Sequence, residues 1–328
     1  MRRLVLVICA LWLSGCAWLQ HGYPGPAPTP AVQQQMDRLF AQGAGALSNN
    51  DIDAAVAAWR QYVQVAPAHV PQARKVRGWL TLLEREAAKR FARRAAAGER
   101  VGQTQAADRL HVAVFPLQSQ GPNAARDTLN RALLAMITTD LGKVPSITVL
   151  ERERIDALLQ EQRLAASGLV DPATMAQQAR LLGAGTVVAG AVYNAPGPAG
   201  PGSSRYKINT AVSDVAAARV LAAQEADGRQ AEFFILEKQI VLGILKALDI
   251  QDIPPAVNQV HTRSWEAYAR FAAGLALLSE DRFDEARAAF RAALGFDPGF
   301  MLAEQALLDT PEQGATLEGI RAEVKARP

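Results

Sequence analysis

Two segments of the sequence repeat each other, and this repeat limits the possible fold more than any other feature. The segments are "LFAQGAGALSNNDIDAAVAAWRQYVQVAPAH" and "RFAAGLALLSEDRFDEARAAFRAALGFDPGF", and they align without a gap. Small residues let two antiparallel helices approach closely, and an aromatic side chain fills the groove beside them. Each segment is therefore predicted to form a helical hairpin. The aligned pairs are Gly43 with Gly274, Ala55 with Ala286, Trp59 with Phe290, and Pro67 with Pro298.

The order of small, small, aromatic and proline positions resembles the tetratricopeptide repeat. The resemblance implies a surface that binds peptides or helices of other proteins by packing and shape. Polar residues at 49–51 and 279–281 lie at the predicted turns and are expected to cap the second helices. A single unit of this kind cannot bury its faces alone. The following helices, near 72–97 and 300–308, are therefore expected to cover the hairpins.

The helix at 72–97 has an apolar stripe and a strongly basic opposite face. One interpretation is a solvated face that keeps the helix soluble. The other is contact with anionic lipid headgroups or an acidic partner, since each basic residue near an anionic surface contributes about 1 kcal/mol. The candidate contact residues are Arg85, Lys89, Arg90, Arg93 and Arg94.

The N-terminus has the pattern of an export signal. Two arginines precede the apolar run 4–13, which is too short to span a bilayer as a helix, since that takes about 20 residues. The sequence Leu-Ser-Gly-Cys ending at Cys16 resembles a bacterial lipobox, which implies cleavage before Cys16 and acylation of its thiol. Ala17 follows, and this resembles outer-membrane sorting. Cys9 lies in the removed part, so one mature chain has no disulfide framework.

The segment between the two repeats has a different pattern. A buried strand at 110–117 and further strands at 146–152 and 186–193 alternate with helices at 125–141, 154–163 and 172–182, the last with Asp171 as its expected N-cap. A hairpin at 206–226 and a helix at 231–248 follow. The predicted fold class is an α/β (α+β) sandwich with a mixed sheet, flanked by all-α TPR-like helical hairpins.

This central block is similar to the CsgG-like family, named for the curli-secretion lipoprotein. The matching stretches are "HVAVFPL", "VPSITVLERERIDALLQEQRLAASGLVDPATMAQQARLLGAGTVVAGAV" and "SDVAAARVLAAQEADG". Two departures stand out. Ala218 stands where family hairpins usually have glycine, so we expect a different turn there. The family's channel inserts two long hairpins per subunit, whereas the best candidate here, the loop 194–204, is short and rich in Pro and Gly.

No residue pattern supports catalysis, a metal site or a cofactor. Four histidines, His21, His69, His111 and His261, lack metal or triad spacing and are expected at the surface or at strand ends. The net charge of +3 falls to +1 without Arg2 and Arg3, so we expect no nucleic-acid partner.

These features predict a non-enzymatic, outer-membrane-anchored lipoprotein on the periplasmic side. Its expected partners are outer-membrane lipid, through acylated Cys16, and proteins of an envelope or secretion assembly, with a homo-oligomer as a further possibility. The expected role is an interaction scaffold in envelope assembly or export of a surface structure. The alternative is an oligomeric subunit of a CsgG-type secretion pore. The predicted regions are a signal peptide (1–15), a Pro-rich tether (16–33), TPR-like helices with the basic helix (34–104), a CsgG-like domain (109–250), a TPR repeat (262–308) and a tail (309–328).

Overall fold

The computed structural model describes residues 26–98, 108–120, 124–162, 172–195 and 203–326. The chain divides into two compact units, Met1–Arg77 and Gly78–Pro328. The α-helices in the described residues are α1 (Pro30–Ser48), α2 (Ile52–Val65), α3 (Pro71–Ala96), α4 (Ala124–Gly142), α5 (Arg152–Glu161), α6 (Pro172–Leu182), α7 (Phe233–Ala247), α8 (Trp265–Ser279), α9 (Phe283–Phe296), α10 (Met301–Asp309) and α11 (Leu317–Ala326). The strands are β1 (His111–Val114), β2 (Gln118–Gln120), β3 (Thr148–Val149), β4 (Thr186–Ala195), β5 (Arg205–Asp214) and β6 (Arg219–Arg229).

The N-terminal unit is built around the hairpin of α1 and α2. Proline at the first position of α1 suits a helix start, and the Thr29 side chain accepts a hydrogen bond from the Val32 amide at 3.4 Å. The Asp51 side chain caps α2 through the Ala54 amide at 3.0 Å. Phe40 stacks on Trp59 with ring centroids 5.8 Å apart. These contacts give the unit an aromatic core of its own.

The second unit contains a mixed sheet with the strand order β3-β1-β4-β5-β6, and β2 pairs with β4. β1 runs parallel to β3 and β4, whereas β4, β5 and β6 form an antiparallel meander. The predicted α/β sandwich with a mixed sheet is confirmed.

Helices cover both faces of the sheet because the inner strands have apolar side chains on both faces. Val112 and Val114 of β1 belong to the large core that includes α4 and α7. Ala113 and Phe115 belong to a second core, which they share with Ile155 of α5 and residues of α6. The unbroken apolar run that predicted a central strand therefore reflects burial on both sides.

The turn between β5 and β6 corrects one expectation. Ala218 adopts a left-handed conformation with φ of 49°. This is the conformation for which glycine is favoured, so the expectation of a different turn is wrong. The Asp214 carboxylate supports the turn by accepting a hydrogen bond from the Ala217 amide at 2.8 Å.

The C-terminal helices belong to the same unit as the sheet. α8 packs against α4, and the Tyr268 hydroxyl donates a hydrogen bond to the Leu129 carbonyl at 2.6 Å. The segment 309–328, predicted as a tail, contains α11, with Ile320 and Val324 buried. The predicted N-cap Asp171 and the 196–202 part of the loop lie outside the described residues.

None of the helices in the described part of the chain combines the length and apolarity that crossing a membrane requires.

Candidate functional site

In the N-terminal hairpin, the predicted repeat residues meet at the helix crossing. A Cβ atom on Gly43 would lie 2.1 Å from Nε1 of Trp59, so only glycine allows this approach. The same Nε1 donates a hydrogen bond to the Phe40 carbonyl at 3.2 Å. Ala55 and Trp59 are fully buried. Pro67 lies just beyond the end of α2.

In the C-terminal hairpin, the matching residues meet in the same way. A Cβ atom on Gly274 would lie 2.3 Å from Cε1 of Phe290. Ala286 and Phe290 are fully buried, and Pro298 lies in the exposed turn after α9. The family assignment to tetratricopeptide repeats stays a prediction, but both hairpins have the same close-packed crossing.

The five basic residues predicted as contacts divide into two groups in the structure. Arg85 bonds within the second unit, from Nη1 to Asp281 Oδ1 at 2.5 Å and from Nη2 to the Leu278 carbonyl at 2.6 Å. Arg90 pairs with Glu86 at 3.0 Å along α3. Lys89, Arg93 and Arg94 have exposed side chains. The surface open to an anionic partner is therefore narrower than the sequence suggested.

Cys16, the predicted acylation site, lies outside the described residues. The structure contains a different constellation that the sequence analysis missed. It is a buried charged cluster, made by Asp140 and Lys143 of α4, Glu237 and Lys238 of α7, and His261 in the connection before α8.

The geometry of this buried charged cluster centres on Asp140, which is fully buried. Its Oδ1 lies 2.7 Å from Lys143 Nζ and 3.1 Å from His261 Nε2, and its Oδ2 accepts a hydrogen bond from Lys238 Nζ. Lys238 Nζ also lies 3.2 Å from Oε2 of Glu237. The side chain of His261 is only 6% exposed and contacts Asp140, so the expectation that places it at the surface or at a strand end is wrong.

The two carboxyl groups of the cluster titrate in opposite directions. Burial alone would raise the pKa of Asp140, but contacts with His261, Lys143 and Lys238 hold that pKa well below its usual range. Burial raises the pKa of Glu237 to about 8, and the nearby Asp140 carboxylate adds to the rise while Lys238 opposes it. At neutral pH the cluster therefore contains one ionised and one protonated carboxyl group.

Three residues of the cluster are of metal-binding types. Ligand atoms of Asp140, Glu237 and His261 lie within 4.8 Å of one another. However, Lys238 Nζ already contacts both carboxyl groups, and Lys143 Nζ contacts Asp140. Two ammonium groups this close repel a divalent cation. The cluster fits a structural ionic network better than a metal centre.

An open cleft of about 520 Å³ adjoins His261. Residues 260–264 and the end of α9 with its following turn line it, and the Phe296 side chain there is 53% exposed. The Thr262 hydroxyl closes one wall through a 2.5 Å hydrogen bond to Asp297. The cleft offers an apolar ring beside polar groups, which suits weak contact with a peptide segment.

Comparison with known proteins gives one family match. Residues 94–194 match the model of the family described as curli production assembly/transport component CsgG. The match covers β1 to β4 and the helices between them, which agrees with the predicted resemblance for its first two stretches, while the third, at 213–228, lies beyond the matched residues. A search of curated proteins finds no significant match to the chain.

Proposed function

We propose that this chain is a lipoprotein anchored in the outer membrane and facing the periplasm, and that it acts as a non-enzymatic interaction scaffold in envelope assembly or export. The main support for the proposal is the match of residues 94–194 to the CsgG family, whose description is curli production assembly/transport component. The lipobox-like sequence ending at Cys16 supports anchoring.

The position of the β4–β5 hairpin favours a scaffold over a pore subunit. β4 and β5 pair along ten residues each, and both lie inside the sheet. Val188, Ile208 and Val212 from this hairpin are fully buried in the core beneath α4 and α7. Their apolar side chains stabilise the domain, so extending these strands into a bilayer would remove them from the core.

Two surfaces are proposed for contact. The first is the cleft beside Phe296, where a partner peptide would pack on the exposed ring. The second is the exposed basic group of Lys89 and Arg93 on α3, which would contact anionic headgroups.

Acylation is tested by labelling cells with a palmitate analogue and separating their membranes. Cys16→Ala should abolish label and release the protein from the outer-membrane fraction, whereas the matched control Cys9→Ala should retain both. Label or anchoring that survives Cys16→Ala would reject the lipoprotein assignment.

The scaffold role is tested by crosslinking in intact cells from a photoreactive residue at Phe296. A matched control places the same residue at Ile235, which is similarly exposed at 56%. The proposal expects a discrete heteromeric adduct from position 296 and none from 235. Steady single-channel conductance by purified acylated protein would contradict the scaffold and favour the secretion pore.

The lipid contact is tested with vesicles that contain anionic lipid and protein that carries no acyl chain. Lys89→Gln with Arg93→Gln should weaken binding, because two basic residues together contribute about 2 kcal/mol, or roughly 30-fold. The control pair Arg291→Gln and Lys325→Gln, on other helices, should bind as the unaltered protein does. Equal binding by both pairs would remove this surface from the proposal.

A further inference from the structure

The buried charged cluster joins three parts of the second unit that are distant in sequence. α4 supplies Asp140 and Lys143, and α7 supplies Glu237 and Lys238. His261 comes from the connection at residues 249–264, which leads from α7 to the C-terminal hairpin. The side chains of Asp140 and Glu237 are completely buried, and Lys238 is 7% exposed.

The cluster also fastens the connection itself. Lys143 Nζ reaches beyond Asp140 to the Ala256 carbonyl, at 3.1 Å. Val257, in the same short turn, is fully buried in the core. The connection is therefore held to α4 by a charged residue and by an apolar one, and His261 continues the attachment further along the chain.

Glu237 has fewer contacts that would stabilise a negative charge than Asp140 has. Neither of its oxygens accepts a hydrogen bond among the described residues, although Lys238 Nζ is 3.2 Å from Oε2. A proton on Glu237 lets it donate a hydrogen bond to the Asp140 carboxylate. Loss of that proton places two carboxylates side by side in a site without solvent, which is strongly unfavourable.

We propose that Glu237 is a proton-controlled clasp: its protonated carboxyl group holds α4, α7 and the 249–264 connection together, and its ionisation in alkaline medium loosens the connection and the attachment of the C-terminal hairpin. The clasp does not depend on anchoring or on any partner. It would link the mobility of the cleft beside His261 to the pH of the surrounding medium.

The charged and titratable groups that surround Glu237 agree with a transition near pH 8. Burial raises the pKa of Glu237, the ammonium of Lys238 opposes this rise and the Asp140 carboxylate on α4 adds to it, and the net pKa is about 8. From α8, Tyr268 remains neutral because burial raises its own pKa well above its usual value. The remaining groups at the site are Lys143 and His261.

Limited proteolysis of the full chain between pH 7 and pH 9 tests the clasp. Cleavage within 249–264 should rise by up to about ten-fold, because the ionised fraction of a group with a pKa of about 8 rises about ten-fold from pH 7 to pH 9. Glu237→Gln, which keeps a neutral side chain of the same shape, should abolish the rise. The ratio of the two proteins at each pH cancels the protease's own pH dependence. An equal rise in both proteins, or no rise in either, would overturn the proposal.

A second measurement covers the case in which Glu237→Gln does not fold. Carbon-13 labelling of glutamate side chains allows each carboxyl resonance to be titrated in the unaltered protein. The proposal expects one glutamate with a midpoint near pH 8, together with shifts of backbone resonances in the connection at the same midpoint. Titration of every glutamate below pH 6, or a midpoint near 8 without any response of the connection, would contradict the clasp.

Discussion

The N-terminal and C-terminal hairpins share one sequence pattern and one helix crossing, yet they belong to different kinds of unit. In both, a glycine on the first helix lies against the aromatic ring of the second, Gly43 against Trp59 and Gly274 against Phe290. The N-terminal hairpin belongs to a unit with its own aromatic core. The C-terminal hairpin shares a continuous core with the α/β sheet.

The turns of the two hairpins share a backbone conformation but differ in the contacts that their side chains make. Asn50 and Asp281 occupy equivalent positions, and both have φ of 60°. In the first hairpin the next residue, Asp51, caps the second helix. In the second hairpin the residue at that position is Arg282, which makes no side-chain cap. Asp281 instead binds Arg85, so its turn serves a contact with α3.

Residues outside the shared pattern decide this difference. Tyr268 and Trp265 of α8 pack against Phe233 of α7, with ring centroids 5.2 and 5.4 Å from it, respectively. Tyr268 also bonds to α4 through its hydroxyl. The repeat pattern therefore encodes how two helices cross, whereas the aromatic residues beside it join the C-terminal hairpin to the core of the sheet.

The largest effect is expected from truncating the buried aromatic residue in each hairpin. Trp59→Ala and Phe290→Ala should each lower the free energy of unfolding by about 3–5 kcal/mol. Calorimetry should show that Trp59→Ala lowers only the transition of the N-terminal unit, while Phe290→Ala lowers the transition of the sheet. Phe296→Ala, at an exposed position of α9, is the control and should change stability by less than about 0.5 kcal/mol. A sheet transition unaffected by Phe290→Ala would contradict the shared core.

The glycines at the two crossings should respond equally. Gly43→Ala and Gly274→Ala each force a methyl group into an aromatic ring, and overpacking of this kind costs about 1–3 kcal/mol. The matched controls are Gly45, on α1 with Gly43, and Gly295, on α9 of the second hairpin, where a Cβ would meet nothing within 4 Å. Alanine at those controls should stabilise by about 0.5–1 kcal/mol. Chemical denaturation measures all four, and stabilisation by Gly43→Ala or Gly274→Ala would show that the crossings are looser than described.

The hairpins were predictable from sequence because local spacing determines them. Gly, Ala and aromatic positions repeat at intervals typical of a close helix pair. The strand β1 was predictable because apolar residues that point to both faces follow His111. The buried charged cluster was missed because its members lie far apart along the chain and each looks like an ordinary surface charge. One signal existed: Glu237 and Lys238 interrupt the apolar stretch "FFILEKQIVLGIL", and a helix that is apolar on most of its sides is buried together with the charged residues inside it.

The contact partners of Arg85 could not be predicted from the sequence either. A basic residue on a basic helix face gives no local sign that it will bind a turn nearly two hundred residues later. The same limit applies to α11, because a short amphipathic segment after the last repeat gives only a weak pattern.

The stability of the two units should depend differently on pH. Burial raises the pKa of Glu237 to about 8 from an ordinary value of 4.5. The folded state therefore holds a proton that the unfolded state releases, so the free energy of unfolding of the second unit should fall between pH 4.5 and 8, by at most about 1.4 kcal/mol per pH unit. Glu237→Gln should remove this decline. Denaturation curves at several pH values should show no such effect of the substitution on the transition of the N-terminal unit; a loss in both would contradict separate units.

The smallest effect is expected at the left-handed turn residues. Asn50→Gly should stabilise the first hairpin by less than about 1 kcal/mol, because glycine tolerates positive φ. Asp281→Gly should give less stabilisation or a net loss, because it also removes the contact with Arg85. The melting temperatures of the two variants test this difference. An equal rise in melting temperature for both would mean that the contact between Asp281 and Arg85 does not stabilise the fold.

Hydrogen exchange measured by mass spectrometry tests most directly the claim that the two hairpins belong to different cooperative units. We expect slowly exchanging amides of α8 and α9 to open with the same free energy as those of β4 and β5, and those of α1 and α2 to open separately. Opening of α8 and α9 at a lower free energy than the sheet, with the sheet still protected, would contradict it.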